Sequence, residues 1–305
     1  MDSFSPLFSI VIPTYNRPER LASCLHSLTQ LSYPCDRFEV IVVDDGSSPS
    51  IAPVTEPFEL ALNLTLLRQE NSGPACARNA GAAQAQAQYL VFTDDDCQPY
   101  PDWLTALETA LRRQQTALVG GYTVNALPEN PFSTASQLLI DYLYDYYNSH
   151  HQPSFFASNN FAMASEQFQQ LGGFDTSFPL AAGEDREFCD RWLQQGLPLA
   201  YAPEAKVRHT HHLSLRRFWR QHFNYGRGAY CFHQVRARRA DEPVKVEPLK
   251  FYWQLLTYPL SRQPQIRAMT LSGLLFLSQV ANVAGFFWER SQQKSSVTST
   301  PAASC

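Results

Sequence analysis

The sequence predicts an α/β fold in which a mostly parallel sheet is flanked by helices, followed by a C-terminal helical extension. Three observations carry this. Short apolar runs alternate with segments of helical periodicity through the first half of the chain. Two of those runs end in acidic clusters, Asp44-Asp45 and Asp94-Asp95-Asp96. Beyond about residue 206 the composition turns basic, aromatic and then uncharged.

Phe8 to Pro13 reads as a buried strand, and Asn16-Arg17-Pro18 as a helix start, with Leu21, Leu25 and Leu28 at helical spacing. Phe38 to Val43 is a β-branched strand ending at Asp44-Asp45-Gly46, and Leu64 to Leu67 is a third strand. Pro74 to Ala87 is Ala-rich and helical. Tyr89 to Thr93 is a strand ending at Asp94, Trp103 to Leu111 is helical, and Leu118 to Tyr122 is a short strand. In the less regular second half, Ser136 to Tyr147 has helical spacing and Phe155 to Met163 reads as a strand. Leu171 to Asp175 is a turn, and Asp185 to Gln195 and Leu213 to Tyr225 are helical. In parallel sheets ligands sit beyond the carboxyl ends of the strands. The topology therefore predicts that the two acidic clusters share one cleft.

The chain has 305 residues and a net charge of −4, which argues against nucleic-acid binding by the molecule as a whole. Seven cysteines without a C-x-x-C pair argue against a disulfide framework and fit a reducing compartment. No basic stretch precedes the first apolar run, so no secretory signal is expected. Lys206 to Arg239 holds nine basic residues and no acidic one. Ala268 to Trp288 is uncharged and, as a helix, about 31 Å long, close to a bilayer core. Two readings stay open for it: a membrane-associated segment, or a buried C-terminal helix beside a solvated basic face. A location at the cytoplasmic face of a membrane, with a lipid-linked acceptor, is the expectation under the first.

Asp94 and Asp96, two positions apart at a strand end, can jointly hold a hard divalent cation that also takes phosphate oxygens from a substrate. An acidic turn is the plain alternative. Asp44-Asp45-Gly46-Ser47 alone is ordinary turn chemistry. Gly73 to Gly81 opens a helix whose free N–H groups favour anions, with Arg78 adding a cation. It is not a P-loop, because the Gly-Lys-Ser/Thr ending is absent. Gly183-Glu184-Asp185 precedes an apolar helix, where a carboxylate can serve as a general base or simply favour the helix dipole. Of His209, His211 and His212, one could complete a metal site, and surface positions are the plainer reading for two.

The order of these segments resembles glycosyltransferase family 2. Ser9 to Arg17 resembles its opening strand, and Val42 to Ser47 its second. Ala77-Arg78-Asn79-Ala80-Gly81 resembles its third signature, and Phe92 to Asp96 its D-x-D element. Gly172-Gly173-Phe174-Asp175 followed by Gly183-Glu184-Asp185 is similar to its acceptor-side segment. The resemblance covers roughly residues 7 to 230 and implies the GT-A fold, a Rossmann-like α/β domain, over 1–235. A helical region over 236–290 with its hydrophobic segment at 268–288 and a disordered Ser/Thr/Gln-rich tail over 291–305 would follow.

The resemblance also implies roles. Asp185 would be the catalytic base of an inverting transfer from a nucleotide diphosphate sugar, a UDP-sugar, to an acceptor hydroxyl on a glycan or lipid-linked saccharide. Donor binding would fall to Pro13, Tyr15, Arg17, Asp44, Asp45, Arg78, Asp94 and Asp95, with Tyr15 stacking on the base and Asp45 ahead of Asp44 in bonding it. Asp96 would ligate Mn²⁺ or Mg²⁺, with His209 as a further metal contact. Asn160, Gly173 and Glu184 would lie on the acceptor side. Arg216-Arg217-Phe218-Trp219-Arg220 does not match the Q-x-x-R-W signature of processive members, which counts against polymer extrusion. A sugar nucleotidyltransferase is a competing reading, but Pro13-Thr14-Tyr15-Asn16-Arg17 lacks the Gly-rich loop such enzymes carry after the first strand. A non-catalytic nucleotide-sugar-binding module is another, and the presence of Asp45, Asp94, Asp96 and Asp185 weighs against it.

Overall fold

The computed structural model describes residues 6–148, 153–178, 182–240 and 247–298. The chain begins β1 (Phe8–Thr14), α1 (Pro18–Leu28), β2 (Phe38–Asp44), the one-turn helices α2 (Ala52–Thr55) and α3 (Glu59–Leu62), and β3 (Leu64–Arg68). It continues α4 (Pro74–Gln84), β4 (Tyr89–Thr93), β5 (Cys97–Pro99), α5 (Trp103–Arg113), β6 (Leu118–Asn125) and α6 (Pro131–Asn148). Then come β7 (Asn160–Ala164), α7 (Ser165–Gln170), α8 (Glu184–Gln194), β8 (Leu199–His209), α9 (Leu215–Ala240), α10 (Leu249–Thr257) and α11 (Gln265–Thr298).

The chain divides into two compact units. The first comprises 1–127, 143–179 and 185–211 and holds the whole sheet, in the order β3-β2-β1-β4-β7-β6-β8-β5. The sheet is parallel from β3 to β4 and mixed beyond, because β7 runs antiparallel to both β4 and β6 and β5 runs antiparallel to β8. Successive side chains of the parallel strands point to opposite faces. Ile10, Ile12, Val40, Val42 and Val91 pack with Leu21, Leu25, Leu104 and Leu107 of α1 and α5. Ile41 and Val43 pack instead with Ala77 of α4. Both faces of these strands are covered, which is why they read as continuous apolar runs rather than alternating ones. At Gly81 an added Cβ would lie 2.5 Å from Val11 Cγ1, so only glycine lets α4 approach the sheet this closely. Phe92, Phe161, Phe168, Phe174 and Phe188 form an aromatic cluster joining β4, β7, α7 and α8, with ring centroids 4.9–6.2 Å apart.

Two features differ from the sequence expectation. The strand expected from Phe155 begins only at Asn160, because Phe156 leaves the strand path to pack over Gly120, where a Cβ would meet its ring at 2.0 Å. The long strand β8 has no counterpart in the sequence reading. Its pattern is broken by Pro203 and Glu204, both exposed, at a bulge where pairing shifts between Gly121–Ala202 and Tyr122–Lys206.

The second unit comprises 128–142, 180–184 and 212–305. Its core joins Ala135 and Leu138 of α6, Leu213, Phe218 of α9 and Leu271 of α11. Helices α9 and α11 cross at two glycines. A Cβ on Gly226 would lie 1.8 Å from the Asn282 carbonyl oxygen, and one on Gly285 would lie 1.9 Å from that of Phe223. Beside the crossing, Arg227 pairs with Glu289 at 2.7 Å and stacks over Trp288. By length and composition α11 is the one helix among the described residues that could cross a membrane. It continues to Thr298, into the segment that composition reads as a tail, and 299–305 lie outside the described residues.

Candidate active site

The carboxyl ends of β1, β2 and β4 carry Thr14, Asp44 and Thr93, and the loops that follow them build the site. The Asp45 amide donates to the Thr14 carbonyl at 2.9 Å. Asn16, in left-handed backbone at φ 54°, donates its amide to Ser47 Oγ and accepts the Ser48 amide, both at 2.8 Å. These bonds latch the loop after β1 to the loop after β2 and leave the Tyr15 ring exposed. Pro13 lies within β1, paired in register with Val43.

Asp44 is buried and accepts the Ser47 amide at 2.8 Å, an Asx-type turn. Asp45 accepts from Gln69 Nε2 at 2.7 Å and from the amides of Ser72 and Gly73 at 2.9 Å. The Asp45 carboxylate thus holds the 69–73 loop, and with it the N-terminus of α4, against the end of β2. One turn into α4, buried Arg78 pairs with Asp94 at 2.7 Å and lies over the Phe174 ring.

Asp95 and Asp96 have opposite electrostatic characters. Asp95 accepts from Thr14 Oγ1 at 2.8 Å and from Arg17 at 3.1 Å. Burial pushes its carboxyl up to about 6, with Arg17 pulling against it. Asp96 is buried too, but His209, and beyond it His211 and Arg17, outweigh burial and hold its carboxyl well below the usual range. Its Oδ2 lies 2.7 Å from Arg20 and 3.7 Å from Arg17, and its Oδ1 lies 3.2 Å from His209 Nε2. The antiparallel pairing of β5 with β8, which sets Cys97 opposite His209, brings these two together. The Thr210 amide fastens the junction by donating to the Asp96 carbonyl at 2.8 Å. His211 stacks beside His209 with ring centroids 4.8 Å apart, and burial first, then His209, pulls it down to about 3.

Asp96 Oδ1 and His209 Nε2 suit two neighbouring ligands of one divalent cation, and Asp96 is held ionised as a ligand must be. Cys97 lies near both, but its thiol is buried in the apolar core and burial raises it far above the ordinary value, which makes Asp96 and His209 the readier ligands. The residues present therefore fit a metal held by oxygen and imidazole.

Asp185 sits in the first turn of α8 and accepts the Arg186 amide at 2.8 Å. Burial raises its carboxyl. Bonds from the Arg186 and Ser158 backbone and the charge of Arg78 oppose that rise, while Asp94 adds to it. Asp185, Arg78 and Asp94 thus form one electrostatic group.

Asn160, expected on the acceptor side, lies inside the sheet. Asn160 is fully buried, accepts from Trp103 Nε1 at 2.8 Å, and donates to the Ala205 and Tyr122 carbonyls at 2.9 and 3.2 Å. Its amide bridges the sheet at the β8 bulge. Gly173 has a positive φ of 70°, and a Cβ there would meet Asn79 Oδ1 at 2.6 Å. Asn79 bonds both the amide and the carbonyl of Phe174 at 2.8 Å, clipping the Gly-Gly-Phe-Asp turn to α4. Glu184 is buried. Sequence reasoning missed Thr14, Arg20 and Asn79. Arg20 is one helical turn beyond Arg17, a spacing that could have signalled a shared target.

The sequence model of glycosyl transferase family 2 matches residues 9–171, just over half of the chain. The chain belongs to glycosyl transferase family 2. A second model, described as the N-terminal domain of galactosyltransferase, matches residues 142–213, from the middle of α6 past His209 and His211. Among curated relatives, Glycosyltransferase AglE of Haloferax volcanii is 30% identical over 210 residues, 66% of each chain. The pre-mycofactocin glycosyltransferase of Mycobacterium tuberculosis is 31% identical over 228 residues, 72% of this chain and 46% of the relative. The chain spans about a third to two thirds of the length of such relatives. Among solved structures, the mannosyltransferase PcManGT of Pyrobaculum calidifontis, in complex with GDP-Man and Mn²⁺, superposes with a TM-score of 0.64 at 19% identity, covering 92% of this chain and 88% of that one. Residues 1–349 of TarS from S. aureus, in complex with UDP-GlcNAc, superpose at 0.53 and 17% identity, covering 94% and 92%. The sheet order and the flanking helices are those of the family's GT-A fold.

Proposed function

We propose that this family 2 member is an inverting, divalent-metal-dependent glycosyltransferase. It moves a sugar from a UDP-sugar to a hydroxyl of a glycan or lipid-linked saccharide. The observation that carries the reading is the convergence of Asp96, His209, Arg17 and Arg20 at the end of β4, beside the Asp94–Arg78–Asp185 group. The first set suits a diphosphate and its cation. The second includes Asp185, whose raised carboxyl supports a role as general base toward a hydroxyl.

Uridine as the base is supported by the UDP-GlcNAc complex of TarS, and Mn²⁺ by the Mn²⁺ complex of PcManGT. Tyr15, exposed at the end of β1, offers a stacking face for the base. Asp45 shapes the pocket edge through the 69–73 loop rather than reaching outward. Asp96 and His209 would hold Mn²⁺ or Mg²⁺, which would supply positive charge to the diphosphate.

Arg17, Arg20 and Arg78 bring further positive charge to the leaving group. Asp185 accepts the proton of the acceptor hydroxyl as the new O–C1 bond forms and the C1–O bond to phosphate breaks. The nucleoside diphosphate departs with the bonding pair, and attack from the opposite face inverts C1. Asp185's raised basicity suits it to this role.

Release of nucleoside diphosphate from a panel of UDP- and GDP-sugars with Mn²⁺, in wild type and Asp185→Asn, tests the proposal. Metal-dependent release of UDP by the wild type alone is expected. Release of pyrophosphate instead, or undiminished turnover in Asp185→Asn, would overturn it.

A further inference from the structure

Helix α11 has two unlike faces. Ala268, Leu271, Leu275, Ser278 and Ala281 are buried in the second unit. Ile266, Met269, Phe276, Val280, Val283 and Phe287 are exposed, Met269 at 69% and Phe276 at 59%. Their spacing of three and four residues draws a single stripe along one side of the helix, about 32 Å long. Such a stripe on a protein surface marks something that covers it.

The charge of this unit says what. The second unit carries thirteen Lys and Arg against seven Asp and Glu, whereas the first carries eleven against twenty-one. Arg216, Arg217, Arg220, Lys250, Arg262 and Arg290 are all exposed. Arg262 and Arg290 bracket the stripe, and no charged residue lies between Arg267 and Glu289. Trp219 in α9, Trp253 in α10 and Trp288 in α11 are exposed as well, the residue type that favours the boundary between lipid and water.

We propose that α11 lies lengthwise on an anionic lipid bilayer. Its apolar stripe enters the boundary between headgroups and acyl chains, the basic residues of its unit meet lipid phosphates, and the helix does not cross the membrane. Crossing would carry α9 into the hydrocarbon with α11, because the two are closed together at Gly226 and Gly285, and with it the Arg227–Glu289 pair and the exposed Arg216, Arg217 and Arg220. Pairing of the stripe with that of a second copy would set one basic unit against another, an arrangement that like charge opposes.

Flotation of the full chain with phosphatidylcholine vesicles, with and without phosphatidylglycerol, tests this without any turnover. Binding to the anionic vesicles, weaker on neutral ones and weakened by salt, is expected. Phe276→Glu with Val283→Glu, both at exposed positions, should lower binding by about tenfold or more. The variant's thermal unfolding confirms that it is folded. The proposal is overturned if the wild type ignores anionic vesicles or if the double variant binds as well as the wild type. It is overturned equally if the lipid-free chain is a dimer that the two substitutions dissociate, meaning a second copy covers the stripe. Resistance of the bound chain to extraction by alkaline carbonate would replace lying on the membrane with spanning it.

Discussion

His209 Nε2 lies 3.2 Å from Asp96 Oδ1, and the contact exists because β5 and β8 pair with Cys97 opposite His209. The other carboxylate oxygen of Asp96 faces Arg20 at 2.7 Å. The same aspartate therefore stands between an imidazole suited to a metal and a cation suited to phosphate. His209→Ala keeps the Arg20 pair and removes the imidazole. The Mn²⁺-dependent rise in melting temperature that saturating UDP gives the wild type, about 2–4 °C for a chain of this size, is expected to vanish in this variant. Differential scanning fluorimetry with UDP, with and without EDTA, checks this. A full Mn²⁺-dependent shift in the variant would remove His209 from the metal site.

Asp185 ties stability to activity in opposite directions. Its pKa is raised in the folded protein, so the fold favours its protonated form. That stabilisation is present below the unfolded pKa and is lost as pH rises through the folded value. Asp185→Asn, neutral at every pH, is expected to melt above the wild type at pH 7, with the difference closing toward pH 4. The same variant should lose about a hundredfold or more in kcat. In the wild type, kcat should fall on acidification through a pKa above the ordinary aspartate value of about 3.9. Melting curves and rate profiles over pH read both effects.

Asn160 tests the boundary between scaffold and site. Asn160→Ala would leave the Trp103 indole N–H and two sheet carbonyls without their bonds, at a cost of about 3 kcal/mol. Urea unfolding should show that loss, while KM for the acceptor, measured on folded protein, stays near the wild-type value. A raised acceptor KM with little change in stability would return Asn160 to the substrate.

His222 is buried in α9 between Phe218 and Tyr225, and neither ring nitrogen has a hydrogen-bond partner. Burial lowers it to about 4. Its folded pKa lies below the unfolded one, so its contribution is present above about pH 6.5 and is lost as pH falls toward 4, up to about 3 kcal/mol. His222→Leu should flatten this part of the pH–stability curve relative to the wild type. Chemical denaturation at pH 7, 5.5 and 4 makes the comparison.

Two glycines of α11 should respond oppositely to the same substitution. Gly285→Ala drives a methyl into the Phe223 carbonyl and forces α9 and α11 apart, at about 1–3 kcal/mol. Gly273→Ala meets nothing within 4 Å and should stabilise the helix by about 1 kcal/mol. Thermal melts of the two variants decide, and equal effects would contradict the packing described.

The parallel half of the fold was legible because its central strands β1, β2 and β4 are buried on both faces. Runs such as Phe8 to Pro13 and Phe38 to Val43 announce themselves by composition alone. Their ends were legible too, so Asp45, Asp94 and Asp96 could be named, and the ordered motifs pointed to the family and, through it, to Asp185. The antiparallel half was not. β8 hides behind Pro203 and a bulge, and its partners β5 and β6 lie far away in the chain.

What the sequence alone determined is therefore the kind of fold, the acidic strand ends and the family. The tertiary structure decided which neighbour each side chain meets. It joined Asp96 to His209 and Arg20, turned Asn160 inward and tied Asp45 to the 69–73 loop. It also gave α11 a covered face and a bare one. Local periodicity records burial along one segment, whereas these contacts arise between segments remote in the chain, and only the pairing of strands and crossing of helices sets them.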